Sequence, residues 1–163
     1  MATKFAMFRA DNLAGTTQGK YLASVRMAED LANGSIVVPG AYEAGAREVR
    51  ACAAPTAGAA IGKIAILGSE EVNKDVKFDT VGAFTNKAGT IARAYILEAG
   101  DVFSVSAEGF GTVPTVGTVV KVAAGKTQLG TTDGKTSDST DITVGTCIAI
   151  EQGGATTWYV VRV

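Results

Sequence analysis

The sequence predicts an all-β fold, a small β-sandwich or barrel of roughly eight to ten short strands with an extended N-terminal arm. Short runs of β-branched and aromatic residues alternate with turn residues along most of the chain. The composition agrees, because 47% of the residues are hydrophobic, 19% are charged and 20 are glycine. The predicted organisation is an arm over residues 1–20 and a single β-rich domain over residues 21–163.

The first twenty residues show no lasting hydrophobic period, and the stretch GTTQG at 15–19 has the composition of a loop. Three apolar side chains nevertheless stand close together there, followed by an arginine. We therefore predict that the arm docks on a partner through Phe5, Met7, Phe8 and Arg9. The sequence leaves a second interpretation open, in which the segment packs on its own domain.

The next elements are short strands separated by turn signals. Residues 21–32 fit either a helix or a strand, and Asn33-Gly34 is a strong turn signal. Strands are predicted after it at 35–38, 48–53 and 61–67, the first of them ending before Pro39, because proline cannot donate a ladder hydrogen bond.

The clearest predicted hairpin joins residues 91–97 to residues 102–106 through a turn at 98–101. In its second arm Phe103 and Val105 point to one face, and the two serines between and after them point to the other. The last strand, 157–163, is so apolar that we expect it to pair inside the sheet, because an exposed apolar edge invites aggregation.

The letters TVGT occur twice, at the start of 115–122 and of 143–150. Aligning the two copies places β-branched residues at every position of one face. The repeat therefore predicts two strands that share one core, with the glycine relieving a turn or a close approach. Cys147 stands where the first copy has Val119, so we interpret it as a small hydrophobic residue and not as a nucleophile.

Charge and composition exclude several classes of function. The chain has 15 basic and 16 acidic residues, scattered along its length, so we predict no nucleic-acid partner. Histidine is absent, which rules out a Ser-His-Asp arrangement, and two cysteines without histidine cannot build a typical zinc site. We predict no catalytic residue, no metal, no cofactor and no small-molecule substrate.

Four motifs that could carry chemistry have simpler interpretations. The stretch GTTDGKT at 130–136 has three residues where a phosphate-binding loop needs four. Asp133, Asp138 and Asp141 lack the order of a calcium loop. Ser104 and Ser106 have no histidine to activate them. Lys126 follows Gly125 in a turn, as in a carrier domain, but the chain is long for one. We expect loops and solvated turns at these positions.

The start MATKFAMFRADN has no apolar signal region, and no apolar run approaches the ~18 residues needed to span a membrane. These features predict a soluble protein made in the cytoplasm, without a membrane partner. Cys52 and Cys147 are best interpreted as free thiols there.

One long stretch, AGTIARAYILEAGDVFSVS at 88–106, resembles a group of small structural proteins from the head-gene clusters of tailed bacteriophages. Asn33-Gly34 with the strand after it, and residues 45–50, occur in the same order as in that group, so the resemblance covers about residues 30–110. The group comprises auxiliary capsid proteins, also called decoration or cement proteins.

This resemblance implies a virion protein made in the cytoplasm of the bacterial host. Such a protein is not an enzyme, binds the major capsid protein on the outer surface of the shell, stabilises the shell and self-associates on the capsid lattice. Another virion component, such as a tail-tube or head–tail connector protein, is the main alternative. A small β-barrel hydrolase or a carrier domain is a further one.

Overall fold

The computed structural model describes residues 4–72, 82–131 and 140–163, and it confirms the all-β fold. Within these residues, helix is confined to α1 (Ala14–Thr17) and to the short 3-10 turns Gly19–Tyr21 and Ala107–Gly109. The strands of the described residues are β1 (Phe8–Asn12), β2 (Leu22–Arg26), β3 (Ile36–Tyr42), β4 (Val49–Ala53), β5 (Ala65–Leu67), β6 (Ile91–Ile96), β7 (Val102–Ser106), β8 (Val119–Val122), β9 (Leu129–Thr131), β10 (Ile142–Gly153) and β11 (Thr156–Arg162).

The strands form two bodies, a six-stranded sheet and a small closed barrel. The sheet has the order β1-β7-β11-β10-β8-β9, and all its pairs are antiparallel. The barrel has the order β2-β4-β3-β5-β6 and closes by pairing β6 with β2. Only β2 and β4 run parallel among its pairs.

The interior of the barrel is filled by small side chains. Ala23, Ala65, Ala92 and Ala94 all point inward and are 8% exposed or less. Four larger residues complete this core, namely Val25, Met27, Val37 and Leu67. A closed barrel of five strands is narrow, so alanine at repeated inward positions lets the walls approach each other.

The larger core lies between the barrel and the inner face of the six-stranded sheet. Ile36 and Ile66 point outward from barrel strands and belong to the same buried cluster as Phe103 and Val105 of the sheet. All four are fully buried. Because strand side chains alternate, β3 supplies Ile36 to this core and Val37 to the barrel interior. The two bodies therefore share one hydrophobic core.

The predicted hairpin at 91–106 is wrong, although both of its strands exist. β6 pairs with β2 and β5 in the barrel, while β7 pairs with β1 and β11 in the sheet. Residues 97–101 are the crossover between the two bodies. Hydrophobic alternation identifies strands but does not specify their partners, which is why the sequence suggested a local pairing.

Asp101 holds this crossover in place. Its side chain is 5% exposed and accepts hydrogen bonds from the backbone N–H groups of Ala14 at 2.8 Å and Glu98 at 2.9 Å. Its own carbonyl oxygen accepts from the N–H of Val163 at 2.9 Å. One residue thus fixes the N-terminal segment, the crossover and the C-terminal strand together.

β3 continues beyond the predicted end of the strand at Pro39. Pro39 lies opposite Cys52 of β4, and a bulge separates it from Tyr42. The guanidinium of Arg50 donates to the carbonyl oxygens of Pro39 at 3.2 Å and Gly40 at 2.8 Å. A bulge tolerates proline because the ladder is locally interrupted there.

Two other predicted elements are now defined more closely. The ambiguous segment 21–32 forms strand β2 at Leu22–Arg26. The predicted strand 61–67 is shorter, because residues 61–63 form a turn and only Ala65–Leu67 pair.

The first TVGT copy forms the turn that leads into β8, and the second lies on β10, which is the hydrogen-bonded neighbour of β8 in the sheet. Val120, Val122 and Val144 are buried in the shared core, as predicted. The predicted apolar face is wrong at Val116 and Ile150, which are 61% and 42% exposed. Both positions lie beyond the paired part of the two strands, where the common core ends.

The two glycines of the repeat, Gly117 and Gly145, are required for different structural reasons. Gly117 adopts a φ of +87° in the turn before β8, a conformation that other residues rarely adopt. Gly145 lies inside β10, where a Cβ atom would collide with the carbonyl oxygen of Arg162 on β11. One copy therefore needs glycine for a turn and the other needs it for a close approach.

Both ends of the described chain belong to the six-stranded sheet. β11 lies between β7 and β10, which confirms that the apolar C-terminal strand pairs inside the sheet. β1 pairs with β7 and forms one edge. Residues 8–12, which the sequence analysis assigned to the arm, are thus a strand of the sheet.

We predict that Asp101→Ala lowers the free energy of unfolding by about 2–4 kcal/mol, because two N–H groups lose their acceptor in a buried site. Asp30→Ala is a matched control, since that exposed carboxylate also accepts two hydrogen bonds, from Lys87 at 2.7 Å and Ala88 at 2.9 Å. It should cost much less than Asp101→Ala, because solvent screens an exposed carboxylate. Urea unfolding measures both, and equal losses would contradict the role of Asp101.

Candidate interaction surface

The first predicted partner-binding residue, Phe5, is half-buried. Its N–H group donates to the carbonyl oxygen of Gly82 at 2.7 Å. Its side chain lines a groove of about 870 Å³, together with the exposed apolar side chains of Leu22, Val72 and Ile91. Phe5 is therefore fixed to the barrel side of the molecule and keeps part of its surface accessible.

The second residue, Met7, packs on its own domain. Its side chain is 8% exposed and lies near Gly82. Its N–H donates to the hydroxyl oxygen of Ser106 at 3.0 Å, and its carbonyl oxygen accepts from the N–H of Ser106, also at 3.0 Å. Little of Met7 is left for an external partner.

Phe8 fills the seam between the sheet and the barrel. Its ring lies 5.9 Å from the ring of Tyr95 on the barrel and 6.4 Å from that of Phe103 on the sheet. The rings of Phe8 and Tyr95 both lie against Gly68. A side chain at this position would not fit, because its Cβ atom would collide with Phe8 and lie 2.8 Å from Tyr95. Phe8 thus acts as a structural contact inside the molecule.

Arg9 differs from the other three, because it lies on the outer face of the six-stranded sheet. Its guanidinium forms ion pairs with Asp11 at 3.2 Å and Glu151 at 3.1 Å. It also stacks over the ring of Trp158, 4.9 Å from the ring centre. The hydroxyl of Ser104 donates to the carboxylate of Asp11. We call these five residues the Arg9 cluster.

The register explains how the Arg9 cluster forms. Arg9 on β1 lies opposite Ser104 on β7, and Trp158 on β11 lies opposite Glu151 on β10. Residues directly opposite each other share a face of the sheet. Four strands therefore present these side chains together, and 40% of the Arg9 side chain remains exposed.

The sequence pattern points to Arg9 but not to its partners. Glu151 stands 142 residues away in the chain, and no local pattern connects the two. Trp158 was recognised only as part of an apolar strand. These associations depend on strand order, which the sequence did not reveal.

Glu71 connects β1 to the barrel through a half-buried carboxylate. It accepts a hydrogen bond from the side-chain amide of Asn33 at 3.4 Å, and the backbone N–H of Phe8 also favours its charged form. Burial raises the pKa of Glu71 above its ordinary value, and these two donors offset part of this effect. The carboxylate is therefore more readily protonated in the folded protein than in the unfolded chain.

Ser104, Ser106 and Lys126 are the side chains that a hydrolase or a carrier domain would use. Ser104 is fully buried and bonded to Asp11, and the Ser106 hydroxyl accepts from Met7, so neither serine is an accessible nucleophile. Lys126 is exposed in a turn, where its backbone N–H donates to the carbonyl oxygen of Ala123 at 3.0 Å.

Metal-binding side chains and cysteine thiols are the other groups that could carry chemistry. In the described ranges no three His, Cys, Asp or Glu residues are grouped to hold a metal ion. Cys147 is a free thiol in the main core, which agrees with its interpretation as a small hydrophobic residue. Cys52 is a half-buried free thiol, and burial raises the pKa of both thiols. Most of the loop at 130–136, with Asp133 and Asp138, lies outside the described residues.

We predict that Glu71→Gln removes part of the pH dependence of stability. A raised folded-state pKa means that this group favours folding at pH below its ordinary pKa of 4.5 and loses that contribution as pH rises through the folded-state value. Glutamine keeps an acceptor for Phe8 and Asn33 without a charge. The variant should therefore unfold at a higher temperature than wild type at neutral pH.

Glu70→Gln is the matched control, because the neighbouring Glu70 side chain is 76% exposed and forms only a surface ion pair with Arg93. Thermal unfolding of the three proteins from pH 4 to pH 8 makes the comparison. An unchanged pH slope in Glu71→Gln would show that Glu71 does not carry this effect.

Within the described residues no helix has the length and apolar character needed to cross a membrane. Comparison with known proteins gives no assignment either, since no family model, no curated protein and no solved structure matches this chain. A functional conclusion therefore rests on the sequence pattern, the fold and the surfaces of the molecule.

Proposed function

We propose that this protein is a decoration protein of a tailed-bacteriophage capsid. It binds the major capsid protein on the outer surface of the shell, stabilises the shell and has no enzymatic activity. In this role it belongs to the virion, after synthesis in the cytoplasm of the bacterial host.

The observation that carries the proposal is the position of the stretch at 88–106, on which the resemblance to decoration proteins depends most. This stretch contains β6, the crossover and β7, and so connects the barrel to the six-stranded sheet. Its inward residues Ala92 and Ala94 fill the barrel, while Phe103 and Val105 fill the main core. The resemblance therefore lies in the segment that connects the barrel to the sheet and contributes to both cores.

The outer face of the six-stranded sheet is the surface that best suits a protein partner. The Arg9 cluster combines an arginine and a tryptophan, two residue types that often dominate binding at interfaces. Val119 adds an apolar side chain that is 38% exposed, on the same face as its pairing partner Thr146. We propose that the capsid protein contacts this face, and that Met7 and Phe8 support it from within.

Another virion component remains the second candidate. The paired strands β10 and β11 form the longest hairpin of the described chain. Tail-tube proteins resemble each other in having a long hairpin and in forming rings. Hexameric rings of the purified protein in solution would favour this candidate over a capsid role.

We predict that Arg9→Ala lowers the affinity for capsid shells by about tenfold, because the guanidinium is the exposed centre of the proposed contact. Shells are prepared from a phage in which the gene is deleted, and binding of purified protein is measured by co-sedimentation. Cryo-EM of the decorated shells then shows whether the protein lies on the outside.

Arg50→Ala is the matched control, since Arg50 is also an arginine stacked near an aromatic ring, 5.5 Å from the ring centre of Tyr42, but on the barrel. It should bind shells like wild type. Absence of the protein from purified virions would refute the capsid role. Equal binding by the two variants would refute the contact through Arg9.

A further inference from the structure

Strand β10 has an open edge along its second half. On one side it pairs with β11 as far as Gly153, but on the other its ladder with β8 ends near Thr146. The last bonds on that side join the N–H of Cys147 to the carbonyl oxygen of Thr118 at 3.0 Å, and the N–H of Gly117 to the carbonyl oxygen of Cys147 at 2.7 Å. Beyond Cys147 no described strand pairs with β10 on the β8 side.

The register identifies the backbone groups at this edge. Gly153 and Thr156 close the hairpin across a two-residue turn, so their backbone groups bond to each other. Orientation alternates along a strand, and therefore Glu151 and Ala149 also face β11. The N–H and C=O groups of Ile150 and Gln152 face the opposite side, where none of the described backbone groups bonds to them.

This edge lacks the features by which proteins usually block edge pairing. Residues 149–155 contain neither lysine nor proline, although both are common on protected edges. Ile150 is 42% exposed. The charge of Glu151 is balanced by Arg9 at 3.1 Å. Neither an unbalanced charge nor a proline therefore prevents another strand from pairing with this edge.

We propose that a second copy of this chain pairs with the open edge of β10, antiparallel and about a two-fold axis at Glu151. Ile150 of each copy then lies opposite Gln152 of the other. Every open backbone group at Ile150 and Gln152 gains a partner, which gives four hydrogen bonds across the axis. A register centred on Ile150 would leave Gln152 without such partners, so we prefer the axis at Glu151.

The length of the edge fits a copy of itself. The open segment begins after Cys147, where the turn before β8 occupies the side of the strand. In the proposed register the second copy reaches this point with its residues 154 and 155, which are the hairpin turn. The second copy therefore turns away from β10 at the point where the turn before β8 prevents further pairing. A longer partner strand would meet the turn that contains Gly117.

The two-fold axis brings Glu151 of one copy opposite Glu151 of the other. Like charges directly opposite are unfavourable in a sheet. Here each carboxylate is already paired with the Arg9 guanidinium of its own copy. The ion pair between Arg9 and Glu151 therefore reduces the repulsion between the two carboxylates and permits the two strands to pair.

Such a short contact gives weak association in free solution, with a dissociation constant in the range of ~10–500 µM. On a surface that holds many copies, the same contact would be reinforced by high local concentration. The inference itself does not rest on the capsid role, because the edge is a property of the isolated chain.

Sedimentation equilibrium of the purified full-length protein tests the proposal between ~5 µM and 1 mM, a range that spans the expected dissociation constant. We expect a monomer–dimer equilibrium for wild type. Ile150→Lys should raise the dissociation constant by at least about tenfold, because it places a charge on the pairing edge.

Ile91→Lys is the control, since it makes the same change at a residue that is 56% exposed on the barrel. It should dimerise like wild type. A wild-type protein that stays monomeric throughout would overturn the proposal and leave the edge to a strand of a different protein. Equal dimerisation by the two lysine variants would also overturn it.

A cysteine pair tests the register. In a Cys52→Ala background, Glu151→Cys should form an intermolecular disulfide under mild oxidation, because the two residues face each other at the axis with Cβ atoms ~4.5–5.5 Å apart. Gln152→Cys should not, since its neighbour is Ile150 of the other copy. Faster linkage through position 152 than through position 151 would overturn the proposed register.

None of these experiments involves capsid shells. A failure to dimerise therefore leaves the shell-binding proposal standing, and a failure to bind shells leaves the dimer standing.

Discussion

The narrow interior of the five-stranded barrel is the constraint on which the rest of this structure depends. A closed barrel of this size is filled by four alanines and four larger residues, so it has no room for the other large apolar residues of its strands, Ile36 and Ile66 among them. Ile36 and Ile66 would then be exposed to water. The six-stranded sheet covers them, and both bodies bury their large side chains in one shared core. The hydrophobic gain of that contact makes each body depend on the other.

Short polar connections then fix how the two bodies meet. Asp101 ties the crossover to both ends of the described chain. Phe8 holds the edge strand β1 against the barrel through its aromatic contact with Tyr95. The N-terminal segment therefore does two things, since its inward side chains complete the seam while Arg9 points outward.

This division separates the internal contacts from the surfaces proposed for partners. The outer face of the sheet presents the Arg9 cluster, and the adjoining half of β10 presents an open edge. The two surfaces meet at Glu151, which belongs to the Arg9 cluster and lies at the proposed two-fold axis. A protein that contacts a shell through one surface and a copy of itself through the other would be well suited to brace a lattice.

The sequence by itself determined the all-β class, most strand positions, the burial of Cys147 and the internal place of the last strand. These features depend on local alternation and on turn residues such as Asn33-Gly34, which are readable along the chain. Strand partners are not readable in this way. Two predictions assumed that a segment is organised locally, namely the hairpin at 91–106 and the end of the strand before Pro39. The sequence also left open whether the segment with Met7 docks on a partner or packs on its own domain. Tertiary structure decided these, because burying the outward face of the barrel outweighs the local preference to pair neighbouring strands. It also brought Arg9 to Glu151 and Trp158, since only strand order places residues so distant in the chain on one face.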